Sequence, residues 1–139
     1  MKRTQDFVFR ILFINPLLIA LLAGLIFCAS KASTINLHLN AMFVAAGLSA
    51  IASELALIPL LITRGKSQAT VSQAGLVSTV IHTMLCAGLG MGASVLLRMG
   101  QPLMYWMLLF YWATLVSIAV IAVRAVKSAP IQSNTLLTR

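Results

Sequence analysis

The sequence predicts an all-α membrane protein, a four-transmembrane-helix up-down bundle with both termini cytoplasmic, and three observations carry that expectation. Of its 139 residues, 60% are apolar and only 9% charged, with a mean hydropathy of +1.01. A water-soluble domain this short buries only part of its apolar surface, so such an excess would leave large patches facing solvent. Second, the apolar residues gather into four stretches, each long enough to cross a hydrocarbon core ~30 Å thick at ~1.5 Å per residue. Third, ten Lys and Arg against two acids give a net charge of +8. The cations fall between the apolar stretches instead of forming a patch, so they speak for topology and not for nucleic acid.

The spans run 8–29, 39–62, 74–97 and 103–123, within a single domain of residues 1–129 followed by a polar, flexible tail over 130–139. The connectors Ser30–His38, Thr63–Gln73 and Arg98–Pro102 are too short for a second domain and make sequence neighbours antiparallel. Barrel strands would alternate in polarity over about ten residues, which these stretches do not. Lys2 and Arg3 before the first span and Cys28-Ala29-Ser30 at its end resemble a signal peptide. Its apolar part of about 20 residues exceeds the roughly 7–15 of a signal core, so a membrane helix is expected.

Lys2, Arg3, Arg10, Arg64, Lys66, Arg124, Lys127 and Arg139 lie on the side of the termini, and only Lys31 and Arg98 on the other. Eight against two predicts cytoplasmic termini; the expected location is a bacterial-type inner membrane. The basic loop and tail read as solvated connectors, or as contacts to lipid headgroups or a partner through Arg64, Lys66, Arg124 and Lys127. Cys28 and Cys86 fall at different depths, outside disulfide reach, and read as small apolar side chains. His38 between Asn36 and Asn40 lacks the neighbouring ligands of a metal site. No metal and no cofactor are expected.

Polar residues inside the spans are the informative ones, because hydrocarbon offers them no partner. Glu54 is the only acid within a span, ~12 Å from the cytoplasmic end of the second, and His82 lies ~12 Å from the cytoplasmic edge of the third. Asn15 on the first span, with Thr114 and Ser117 on the fourth, reaches the same level. Ser78 and Thr79 share the face of His82, and Tyr111, Thr114 and Ser117 form a stripe at i, i+3, i+6. The expected intramembrane site is therefore Glu54, His82, Asn15, Ser78, Thr79, Thr114 and Ser117. It reads as a proton or cation site in which Glu54 and His82 share a proton, or as an interhelical hydrogen bond that fixes register.

Packing signals come from Gly88 and Gly92, a GxxxG on the third span, and from Gly47, Ala50 and their small neighbours on the second. They allow these two spans to pack closely, or a partner's helix to dock. Pro16 and Pro59 remove helix bonds near the polar layer. Tyr105 and Trp106 suit the outer interface, whereas Trp112 falls mid-membrane, where its indole needs a protein partner or faces another subunit.

No nucleophile with its base, phosphate loop or carboxylate pair is present, so an enzyme is not expected. A basic start Met1-Lys-Arg, four spans with both ends inside, and a second span that opens on Ala45-Ala-Gly-Leu-Ser-Ala and meets Pro59 together resemble the ATP synthase protein I family. The resemblance covers most of the chain. It implies a small accessory protein that assists assembly of the rotor ring in the ATP synthase membrane sector. Members of that family often carry an acid and a base in the third span; here the third span has only His82, and the acid is Glu54 on the second. The alternative is a small proton- or cation-coupled transporter using Glu54 and His82. Small multidrug exporters carry their acid in the first span, where this chain has Asn15. The expected partners are the lipid bilayer and other membrane subunits, with self-association open and nucleic acid excluded.

Overall fold

In a computed structural model of the chain, the backbone is described for residues 2–32 and 38–130 and the side chains for 13–31 and 38–130. The expected tail from residue 131 on, and the side chains of Lys2, Arg3 and Arg10, lie outside the described residues. The described residues form α1 (Lys2–Ala32), α2 (Leu39–Ile62), α3 (Gln68–Leu96) and α4 (Gly100–Ser128), with no strand among them. All four contain stretches long and apolar enough to cross a membrane.

Helices α1 and α4 overrun both ends of the expected spans and α3 overruns the start of its own, because hydropathy marks the membrane edge and hydrogen bonding marks the helix end. The clearest case is the connector expected over Thr63–Gln73. The amide and hydroxyl of Thr63 both donate to the carbonyl of Pro59, at 3.1 and 2.8 Å, closing α2. Gly65 then turns the chain at φ +78°, a conformation that costs glycine little. Ser67 caps α3 by accepting from the Thr70 amide at 3.5 Å. The polar run Gln68–Gln73 is thus helical. At the other end, Arg98 and Gly100 both take positive φ, so α4 starts at Gly100, inside the connector expected over Arg98–Pro102.

Helices α2, α3 and α4 pack on one another in all three pairings, and α1 packs against α2 and α4 with no close backbone approach to α3 among the described residues. Two apolar clusters fill the interior. One holds Met42, Ala45, Leu103, Met107 and Phe110 in the half away from the termini. The other holds Leu57, Leu60, Val71, Ala74, Ile118 and Ile121 in the half that contains the termini. Between them lie Asn15, Ser53, Ser78, His82 and Thr114, every one fully buried.

Large apolar side chains also cover the outside of every helix, among them Leu17, Ile51, Leu76 and Val116. A protein in water would lose solubility over such a surface; in lipid it is the ordinary exterior.

Candidate functional site

The buried polar residues form a layer across the bundle, divided into separate groups. On the α3–α4 side, Nε2 of His82 lies 2.8 Å from the Thr114 hydroxyl oxygen. That oxygen is also within 2.8 Å of the Phe110 carbonyl and 3.1 Å of the Tyr111 carbonyl. The ring of His82 stacks on Tyr111, centroids 5.4 Å apart and planes 10° from parallel. The phenol oxygen of Tyr111 in turn pairs with Thr83 at 3.2 Å. Backbone carbonyls of Tyr111 and Ala52 also lie against the imidazole. A neutral ring has one N–H for a carbonyl and one lone pair for the Thr114 hydroxyl, so this surrounding can satisfy it.

Cys86 completes this group. Its sulfur is 3.8 Å from both ring nitrogens, an equidistant contact that packs on the imidazole and is not directed at one N–H. Expected from the sequence to be a small apolar side chain, Cys86 is brought against the imidazole by its spacing of four from His82. Thr83, Cys86, Gly90, Met104, Met107 and Tyr111 line an apolar cavity of about 250 Å³ between α3 and α4.

On the α1–α4 side, the Ser117 hydroxyl donates to Oδ1 of Asn15, while Nδ2 of Asn15 has no partner. Ser78 is fully buried with its hydroxyl unbonded. Thr79 donates back to the Gly75 carbonyl at 3.1 Å, a bond within its own helix.

The expected meeting of Glu54 with His82 does not occur. Both carboxyl oxygens of Glu54 are buried without a hydrogen-bond partner. The two residues do share a level, since α2 touches His82 through the carbonyl of Ala52. Two positions further along a helix of 3.6 residues per turn is a rotation of about 200°, which carries Glu54 to the far side of α2. It falls in line with Phe43, Gly47 and Ala50, the α2 wall of a groove against α1.

The expected packing of α2 on α3 through Gly88 and Gly92 is also corrected. A Cβ placed on either would meet nothing within 4 Å, and both are exposed. The buried stripe of α3 runs through Val71, Ala74, Gly75, Ser78, His82, Cys86 and Gly90, which turns residues 88 and 92 outward. Close approach to α4 is made instead by Gly75, where an added Cβ would lie 3.2 Å from that of Ala122, and by Gly90, where one would lie 3.4 Å from the Met107 side chain. Gly47 borders open space and Ala50 is half-buried in the groove. The small α2 residues that do pack inward are Ala41, Ala45, Ala46, Ser49, Ala52, Ser53 and Ala56. Trp112 is 59% exposed and meets the edge of Tyr111 at 6.1 Å, so most of its indole faces outward.

Comparison with protein-family models, with characterised proteins and with solved structures finds no match to this chain.

Proposed function

We propose that this chain is a non-enzymatic, multi-pass accessory protein of a bacterial-type inner membrane, with cytoplasmic termini, that assists assembly of the rotor ring of an ATP synthase. One observation carries the helix-docking part of this reading: Gly88 and Gly92 open a small-residue surface to the outside of α3. Small residues let a second helix approach closely in lipid, where van der Waals contact supplies much of the attraction. The link to ATP synthase rests on the family resemblance. Copurification from native membrane tests both parts. ATP synthase subunits in the eluate support the assembly role, and their consistent absence from crosslinked preparations removes it.

A second reading, a small proton- or cation-coupled transporter, is favoured by the buried, unpartnered carboxyl of Glu54. An ionisable group inside a membrane helix is a functional candidate by default. Substrate-dependent proton flux in proteoliposomes tests it.

A further inference from the structure

Glu54 is half-buried, yet both of its side-chain oxygens are shut away without a hydrogen-bond partner. It extends the row Phe43, Gly47, Ala50 that forms one wall of the α1–α2 groove, whose other wall includes Pro16, Ile19 and Ala20. The rings of Phe27 and Phe43, 6.1 Å apart, set the antiparallel register of these helices. Eleven residues along each helix from that pair stand Pro16 and Glu54, so with equal rise they share a level.

Two more groups near this level bear on it. Nδ2 of Asn15 is a fully buried donor with no acceptor. Pro16 stands inside α1 and has no N–H, so the carbonyl of Leu12 loses its ordinary helix donor. These groups complement Glu54 only when it carries a proton. The neutral acid has one O–H to donate, which the Leu12 carbonyl can accept, and one carbonyl oxygen to accept from the Asn15 amide. The carboxylate would face the Leu12 carbonyl with acceptors alone and leave a charge uncompensated in hydrocarbon.

We propose that Glu54 is a protonated carboxyl enclosed where the α2 wall of the α1–α2 groove continues past Ala50, a single-carboxyl proton-binding site that a lipophilic carbodiimide reaches from the bilayer through that groove. Arg124 and Lys127 stand at the end of α4, seven or more residues beyond Ser117, and the titratable groups nearer this level on the helices around α2 are engaged elsewhere or fall outside the described side chains. His82 and Cys86 on α3 contact each other and Tyr111 on α4 bonds Thr83, while Asp6 and Arg10 on α1 are not among the described side chains. The proposal deepens the transporter reading by assigning its proton to Glu54 without His82. If flux is absent while Glu54 reacts, transport falls and the site stands.

The reaction with a carbodiimide balances without a further reagent. The carboxyl proton passes to one nitrogen of the carbodiimide, and the carboxylate oxygen bonds its central carbon as one C=N bond becomes single. The acyl group then migrates from that oxygen to nitrogen, leaving an N-acylurea that retains every atom of the reagent. The test is made on the full chain in phosphatidylcholine vesicles, treated with dicyclohexylcarbodiimide over a series of pH values and read by intact mass and peptide mapping. Asp6 is the only other side-chain acid, so assignment is direct.

One adduct is expected on Glu54, its rate falling about tenfold per pH unit above the titration midpoint as the neutral fraction falls. Gly47→Leu, at a position where a Cβ meets nothing, should slow the reaction several-fold by filling the groove. Asp6→Asn should leave it unchanged. No adduct on Glu54 in wild-type protein whose helical circular dichroism is intact would overturn the proposal. So would a rate independent of pH, or protection by sodium at constant pH, which would make the occupant a metal ion.

Discussion

The Thr114 hydroxyl lies 2.8 Å from Nε2 of His82, a bond between α3 and α4 that sits between the two apolar clusters of the bundle. Both residues are fully buried. Thr114→Val removes the hydroxyl with little change of shape and leaves the imidazole short of a partner. We expect a loss of about 1 kcal/mol, in the range of membrane hydrogen bonds and of buried unsatisfied groups. Thr114→Ser, which keeps the hydroxyl, should lose less. Equilibrium unfolding of detergent-solubilised protein with increasing sodium dodecyl sulfate makes the comparison, and equal losses in the two variants would rule out the hydrogen bond as the cause.

The bond from Ser117 to Asn15 joins α4 to α1, and among the described residues α1 makes no close backbone approach to α3. Removing it should loosen α1 before the other three helices. A double-mutant cycle of Asn15→Leu and Ser117→Ala should give a coupling of about 0.6 kcal/mol, with ~1.7 as the upper end of such values. Amide hydrogen exchange should rise first in α1 of either variant. Exchange rising evenly over all four helices would count against this division.

Two glycines of α3 should respond in opposite ways to leucine. Gly75 has a Cβ position 3.2 Å from that of Ala122, so Gly75→Leu overpacks the α3–α4 contact and should cost about 1–3 kcal/mol. Gly88 faces open space. Gly88→Leu should leave bundle stability unchanged or raise it by up to about 1 kcal/mol through helix propensity, while it reduces copurification of any partner docked on that face. Parallel unfolding and pull-down measurements separate the two effects.

Cysteine accessibility reports both burial and orientation. Cys28 is exposed and Cys86 buried, so maleimide should modify Cys28 in detergent and reach Cys86 only after denaturation. Cys28 lies near the end of the bundle away from the termini. With cytoplasmic termini, a membrane-impermeant maleimide should label it in spheroplasts faster than in inverted vesicles. The reverse order would invert the proposed topology.

Glu54 and His82 show how much of the site was legible in the sequence. Their common level could be counted from the ends of the spans, because depth along a helix is linear in residue number. Their separation could not, because a residue's direction around its helix must be read from an apolar face set against a polar one. In these spans Leu, Ile and Val lie on both faces, so the contrast is missing. Gly88 and Gly92 failed for the same reason: a small-residue spacing names a face that can pack without saying what lies opposite it. Thr114 and Ser117 were legible as a stripe, but their partners, His82 on α3 and Asn15 on α1, emerged only from packing.

The number of helices, their approximate spans and the band of polar residues at one level follow from the sequence alone, since each is set by hydropathy and position along the chain. The tertiary structure decided the azimuths. It turned His82 inward to Thr114, Glu54 toward the groove beside α1, and the GxxxG outward, because lipid and protein interior are alike apolar and only the fit of side chain against side chain distinguishes them.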